Sequence, residues 1–299
     1  MPRVIELDDA AQCSVAECAE QLATRGFDPH DEESLAHGAK WLRRLGNNSD
    51  FLGDLLIENL SLRHREEVSG QAYGPQSIVL SPHRGNCFLR VNVWPGADDP
   101  LLKASGNSPF LYDLAHDHNF NFLTLGYFGP GYWSDYYEYE YGDVHGWAGE
   151  PVELTPMGRQ RLDQGKLMLY RAHRDVHRQL PADALSVSLN IMHANPAMGW
   201  HDQYSFDLDA GTVSGIINPG STDAFLRIAV ALGGAESLDL AERFATTHPS
   251  DRMRITAFDA LAARCSDDAA RDGLWARAEH SGSRLVEMEA KARRAALAG

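Results

Sequence analysis

Residues 115 to 127 read AHDHNFNFLTLGY. Two histidines one residue apart, His116 and His118, lead into a run of aromatic and aliphatic side chains, and that run predicts a β-strand over 121–127. Successive side chains of an extended chain alternate faces, so the two histidines share one side, roughly 7 Å apart at their Cα atoms. Imidazoles placed in this way can hold a single metal ion.

The same period of two recurs on either side, at 77–80, 88–94, 136–141, 167–171, 186–192 and 203–209, with Gly, Pro, Asn and Asp clusters between the runs. Short strands without intervening helices predict a closed or double-sheet β structure, a barrel or jelly roll, and argue against alternating βαβ units. Beyond them the apolar spacing becomes helical. Ser14 and Glu17 have the Ser-x-x-Glu spacing of a capping box ahead of Cys18 and Leu22, and further helices are expected over 31–45 and 50–65. After Pro219, helices are expected over 224–232, 237–245, 252–265 and 268–296, and the stretch 252–263 resembles a HEAT-type repeat. The class is α+β: an N-terminal helical region over 1-70, a β-barrel over 71-219 and a C-terminal helical region over 220-299.

The chain has 299 residues, 43% of them hydrophobic and 23% charged, which fits an ordinary globular protein and excludes a disordered or collagen-like chain. Its formal charge of −15 makes the average surface repel polyanions, and no helix-turn-helix pattern is apparent, so nucleic acid is not an expected partner. Cys13, Cys18, Cys87 and Cys265 have no CxxC spacing and read as free thiols of a reducing compartment. The segment MPRVIELDDAAQ lacks an apolar leader, and no run of about 18 apolar residues occurs. A cytoplasmic protein with no membrane contact is the expectation.

A third metal ligand has to come from another segment, and GKLMLYRAHRDVHRQLPADALSVSLNIM, residues 165 to 192, offers His173 and His177. The two are four apart, so a helical turn would put both on one face, whereas the preceding LMLY run favours a strand that brings His177 in. Three neutral imidazoles suit Fe(II), Zn, Ni or Cu(II). In DYYEYEYG, Glu138 and Glu140 alternate with Tyr137, Tyr139 and Tyr141; either the glutamates face water, or one points inward as a ligand or general base. The loop GYFGPGYWSD, residues 126 to 135, reads either as a turn with core aromatics or as a pocket wall in which Tyr132 offers a hydroxyl. Asp117 and Asn119 are expected to face away from the metal.

His116 and His118 at a strand entrance, followed by Gly165 and then His177, resemble the two motifs of the cupin superfamily. HDHNFNFLTL and VHRQLPADALSVSLNIM are similar to the thiol dioxygenases typified by cysteine dioxygenase, over roughly residues 77 to 195. That resemblance implies a cupin-type jelly roll, Fe(II) held by His116, His118 and His177, and insertion of oxygen from O2 into a small polar, amino-acid-like substrate. It also implies a homodimer. Zn, Ni and Mn remain open as metals.

The chain departs from the pattern at several points. The usual cupin glutamate is replaced in the region of Asn121, Phe122, Leu123 and Thr124. Ser188, Asn190 and Met192 stand where the family has a Ser-x-His-x-Tyr relay, and neither Arg84 nor Arg90 aligns with the carboxylate-binding arginine. Two other readings stay open. One is a redox-neutral lyase, isomerase or hydrolase with Glu140 or Tyr132 as base. The other is a small-ligand sensor whose C-terminal helices contact another protein.

Overall fold

The computed structural model describes residues 1–63 and 76–298. The expected boundary at 70/71 and the expected end of the third helix near residue 65 lie outside the described residues. Among the described residues, no helix is long and apolar enough to cross a membrane. The chain divides into two compact units, Met1–Tyr141 with Glu153–Met198, and Gly142–Val152 with Gly199–Gly299.

The first unit opens with helices α1 (Val15–Arg25), α2 (Glu32–Asn47) and α3 (Phe51–Arg63). The capping box forms as read: the Ser14 hydroxyl accepts the Glu17 N–H, and the Glu17 carboxylate accepts the Ser14 N–H at 2.8 Å. A short helix, α4 (Pro100–Ser105), follows later in the chain. One antiparallel sheet runs in the order β1 (Arg3–Ile5), β8 (Leu167–Tyr170), β5 (Phe122–Phe128), β10 (Ser186–His193), β3 (Cys87–Trp94) and β2 (Ser77–Val79). Within this unit the second sheet runs β4 (Ala115–His116), β9 (Asp175–Gln179), β6 (Trp133–Glu138) and β7 (Thr155–Arg161). The fold is therefore α+β with a double-sheet antiparallel β structure, the architecture of a cupin-type jelly roll.

Side-chain parity divides the first sheet into two chemistries. Leu89, Val91, Leu123, Leu125, Leu167, Leu169, Leu189 and Ile191 pack with Leu22, Leu35, Leu42 and Leu45 of α1 and α2 into an aliphatic core. Phe122, Met168, Tyr170, Met192 and Trp94, on the opposite face, join Tyr136 of the other sheet and Tyr132, just before β6 (Trp133–Glu138), in a largely aromatic interior. Because both faces are buried, these strands read as nearly continuous apolar runs.

The second unit contains the hairpin β11 (Tyr204–Asp207) and β12 (Thr212–Ile216), then α5 (Ser221–Leu232), α6 (Ala235–Thr247), α7 (Asp251–Ala262), α8 (Asp268–Glu279) and α9 (Arg284–Ala298). The segment 142–152 belongs to it through backbone bonds such as Val213 N–H to Glu150 O at 2.8 Å. Its core gathers Val230, Ala245, Phe258, Trp275 and Val286. One expectation is corrected here: residues 268–296 form two helices, not one. Gly282 takes φ +81° between them, a left-handed conformation that a helix interior does not accommodate and glycine adopts without strain.

Candidate metal centre

The three histidines expected to meet do meet. His116 lies directly across from His177 in the β4–β9 ladder, and His177 lies across from Tyr136 in the β9–β6 ladder, so three side chains form one row across the sheet. The expected strand at 116–118 is corrected in one respect. β4 ends at His116, and His118 stands in the crossing from β4 to β5, where the chain passes from one sheet to the other. The His118 carbonyl accepts the His173 N–H at 2.8 Å, which ties this crossing to the turn before β9.

His177 Nε2 is 3.1 Å from His118 Nε2 and 3.2 Å from His116 Nε2, and all three side chains are buried. His116 Nδ1 donates to the Leu114 carbonyl at 2.9 Å, which leaves Nε2 as a lone-pair donor to a metal. Burial pushes the His116 pKa down to about 4, against an opposing pull from the Leu114 bond. His118 and His177 are held well below the ordinary histidine value, first by burial and then by their neighbours' charge. Three neutral rings thus converge.

This donor set fits a metal ion. One proton can bridge one of the two Nε2 contacts to His177, while the other brings lone pairs face to face, so hydrogen bonding alone leaves the cluster unsatisfied. Nitrogens about 2.1 Å from a shared ion at tetrahedral to octahedral angles lie roughly 3.0–3.4 Å apart, which matches the two contacts of His177, and the three donor atoms together lie within 4.8 Å of one another. His177 Nδ1 is buried without a hydrogen bond.

The choice between His173 and His177 is decided by the backbone. His173 occupies a left-handed turn at φ 58° and packs on the Tyr141 ring at 4.2 Å, whereas β9 aims His177 at the other two rings. Asp117, between the histidines, is fully buried and accepts the Tyr139 hydroxyl at 2.6 Å; Asn119 donates to the Met198 carbonyl at 2.8 Å. Asn121, in the region of the missing cupin glutamate, accepts the Ala172 N–H at 2.9 Å and braces the same turn.

The acidic candidates lie apart from the histidine cluster. Glu138 is bound by Arg171 at 2.7 Å, by Arg174 at 3.0 Å and by the amino group of Met1. Burial would raise its pKa, but these cations outweigh it and bring it down to about 2. Glu140 is exposed. The expected alternation of Glu138 and Glu140 with Tyr137, Tyr139 and Tyr141 is corrected because β6 ends at Glu138: Tyr136 and Tyr139 are the buried tyrosines, and Tyr141 begins a separate helical turn. Tyr132 is buried, with its ring 4.6 Å from Trp94, and burial raises its pKa well above the ordinary phenol value.

Sequence reasoning passed over Tyr136 and Tyr170 beside the cluster and set Arg90 aside as unaligned. Tyr136 and Tyr170 share a hydroxyl hydrogen bond of 2.7 Å, and their rings lie 6.4 Å and 5.2 Å from that of His177. Arg90 alternates on β3 with Leu89 and Val91 of the aliphatic core, so its side chain takes the inner face with Phe88 and Trp94. Its charge reaches both His118 and Tyr132. The available signal was parity, once Leu89 and Val91 are assigned to the helix-covered face.

No protein-family model matches this chain, and no curated protein matches it in sequence. Among solved structures it is similar to hydroquinone 1,2-dioxygenase in complex with Cd2+ and 4-hydroxybenzonitrile, at 13% identity and a TM-score of 0.27, over 42% of this chain and 68% of that one. It is also similar to salicylate 1,2-dioxygenase from Pseudoaminobacter salicylatoxidans with gentisate, at 10% identity and a TM-score of 0.29, over 52% of this chain and 35% of that one. A DMSP lyase structure overlaps at 10% identity and a TM-score of 0.23, over 68% of this chain and 84% of that one.

Proposed function

We propose that this chain is a metal-dependent oxygenase that holds Fe(II) on His116, His118 and His177 and inserts oxygen from O2 into a small, polar, amino-acid-like substrate. The observation that carries the reading is the convergence of three neutral imidazoles, with Nε2 spacings of 3.1 and 3.2 Å, in an aromatic interior. Fe(II) held by these three imidazoles would supply the binding and activation of O2.

The chain's own residues supply the surroundings. Leu114 fixes the His116 tautomer, and burial keeps all three rings neutral and available at neutral pH. Phe122, Tyr170 and Trp94 exclude water. Arg90 places a positive charge on the inner face, suited to a substrate carboxylate. Tyr132, whose raised pKa keeps it protonated, acts as a hydrogen-bond donor. Tyr136 and Tyr170 hold a proton between their oxygens beside His177.

The redox-neutral alternative needs a base at neutral pH. Glu140 is exposed, away from the buried histidines, Glu138 is engaged by two arginines and Tyr132 is held protonated, so all three are poorly matched to that task. The test is elemental analysis of freshly purified protein, followed by oxygen-electrode assays with a panel of amino-acid-like thiols, amines and carboxylates. Iron near one per chain and substrate-dependent O2 uptake, both lost in His177→Ala, are expected. Bound zinc with O2-independent turnover would overturn the oxygenase reading in favour of Lewis-acid chemistry.

A further inference from the structure

Arg43 and Arg44 are neighbours on α2 in opposite circumstances. Arg44 pairs with Asp9 at 2.8 Å and lies over the Trp41 ring at 5.0 Å. Arg43 has no carboxylate partner among the described residues, and its Nε is buried without a hydrogen bond. One of its terminal nitrogens rests 3.2 Å from where a Cβ would stand on Gly165, a turn residue at φ +81°. The glycine therefore serves twice, allowing the left-handed turn and leaving a seat for the guanidinium.

Arg43 lines a cavity of about 390 Å³ between the end of α2 and the β5 and Gly165 turns, a size suited to a small molecule. It is the only charged side chain in the lining among the described residues. In a chain of net charge −15, the cavity thus carries an uncompensated positive charge. The exposed carboxamide of Gln164 adds hydrogen-bonding capacity, and Phe128, 54% exposed, offers an apolar wall. Tyr127 is already committed through its hydroxyl to the Asn48 and Ser49 carbonyls, both at 2.9 Å, so it shapes the floor without competing for the arginine. Leu125 and Tyr127 belong to the helix-covered face of the sheet, which separates this cavity from the histidine cluster on the other face.

We infer that this cavity is a second binding site, for a small organic carboxylate whose charged end meets the Arg43 guanidinium and whose apolar body lies against Phe128. A planar carboxylate matches the guanidinium fork in a way that a neutral amide does not. The site does not depend on the oxygenase reading.

Benzoate is the probe, titrated calorimetrically into the full chain, with benzamide as its neutral counterpart. Saturable one-to-one binding of benzoate is expected in the wild type and equally in His116→Ala, with affinity falling about tenfold or more in Arg43→Met and for benzamide. If Arg43→Met does not fold, Arg43→Lys keeps the charge and loses the fork, and a several-fold weakening is expected there. Absence of saturable binding, equal binding of benzamide, unchanged affinity in the arginine variants, or loss of binding in His116→Ala would each overturn the assignment. These outcomes are separable from failure of the oxygenase proposal, because none depends on bound metal or on turnover.

Discussion

The two faces of the β1-β8-β5-β10-β3-β2 sheet are built from the same strands and do different work. Odd-numbered residues such as Leu89, Leu123, Leu169 and Ile191 meet α1 and α2 in aliphatic contacts. Their even-numbered neighbours, Phe122, Met168, Tyr170 and Met192, meet rings, hydroxyls and imidazoles. The helix-covered face hides almost no polar atoms and contributes burial. The inner face carries groups that are costly to bury unless each finds a partner, and it places them against the three histidines. A single strand can therefore serve stability on one side and chemistry on the other, because its side chains alternate.

Separate damage to each face should sharpen that contrast. The largest effect is expected from His116→Ala, which removes one of three ligands: stoichiometric metal should be lost in elemental analysis, while the unfolding midpoint of metal-free protein stays near that of the wild type. A collapse of the fold in this variant would break the distinction between the faces.

Acid should act on the inner face next. Unfolded histidines take up protons below about pH 6.5, whereas folded His116 stays neutral down to about 4. The unfolded state then binds more protons across that window. Stability of metal-free protein should fall as pH drops from 6.5 toward 4, by at most about 1.4 kcal/mol per pH unit for each histidine. Urea midpoints at several pH values read this, and a flat profile counts against three buried neutral rings.

On the helix-covered face, Leu123→Ala should cost about 2–5 kcal/mol in urea unfolding and leave metal content unchanged. Tyr136→Phe should cost less, about 1–3 kcal/mol, since it leaves the buried Tyr170 hydroxyl without its 2.7 Å partner. A Tyr136→Phe protein as stable as the wild type would mean that Tyr170 finds another partner.

Much of the fold was legible because its signals are local. The Ser14 and Glu17 cap, the apolar strands over 88–94 and 186–192, and the helices after Pro219 all depend on spacing within a few residues. The short edge strand β1 and the polar strand β7 were missed, since neither carries an apolar alternation. The break between α8 and α9 was missed because Gly282 is only one punctuating residue inside a long helical pattern.

The sequence by itself placed His116 and His118 just ahead of a buried strand, with His173 and His177 following some sixty residues later. The apolar run before His173 and His177 favoured His177, and tertiary structure supplied the geometry that seats it. The β4–β9 register sets His177 opposite His116, and a left-handed turn places His173 against Tyr141 instead. Register also brought Tyr136 into the same row and closed the Tyr136–Tyr170 pair across the two sheets. Spacing along the chain records which face a side chain takes, but partners between strands are fixed only when the ladders form and a one-residue slip would turn every side chain to the other face.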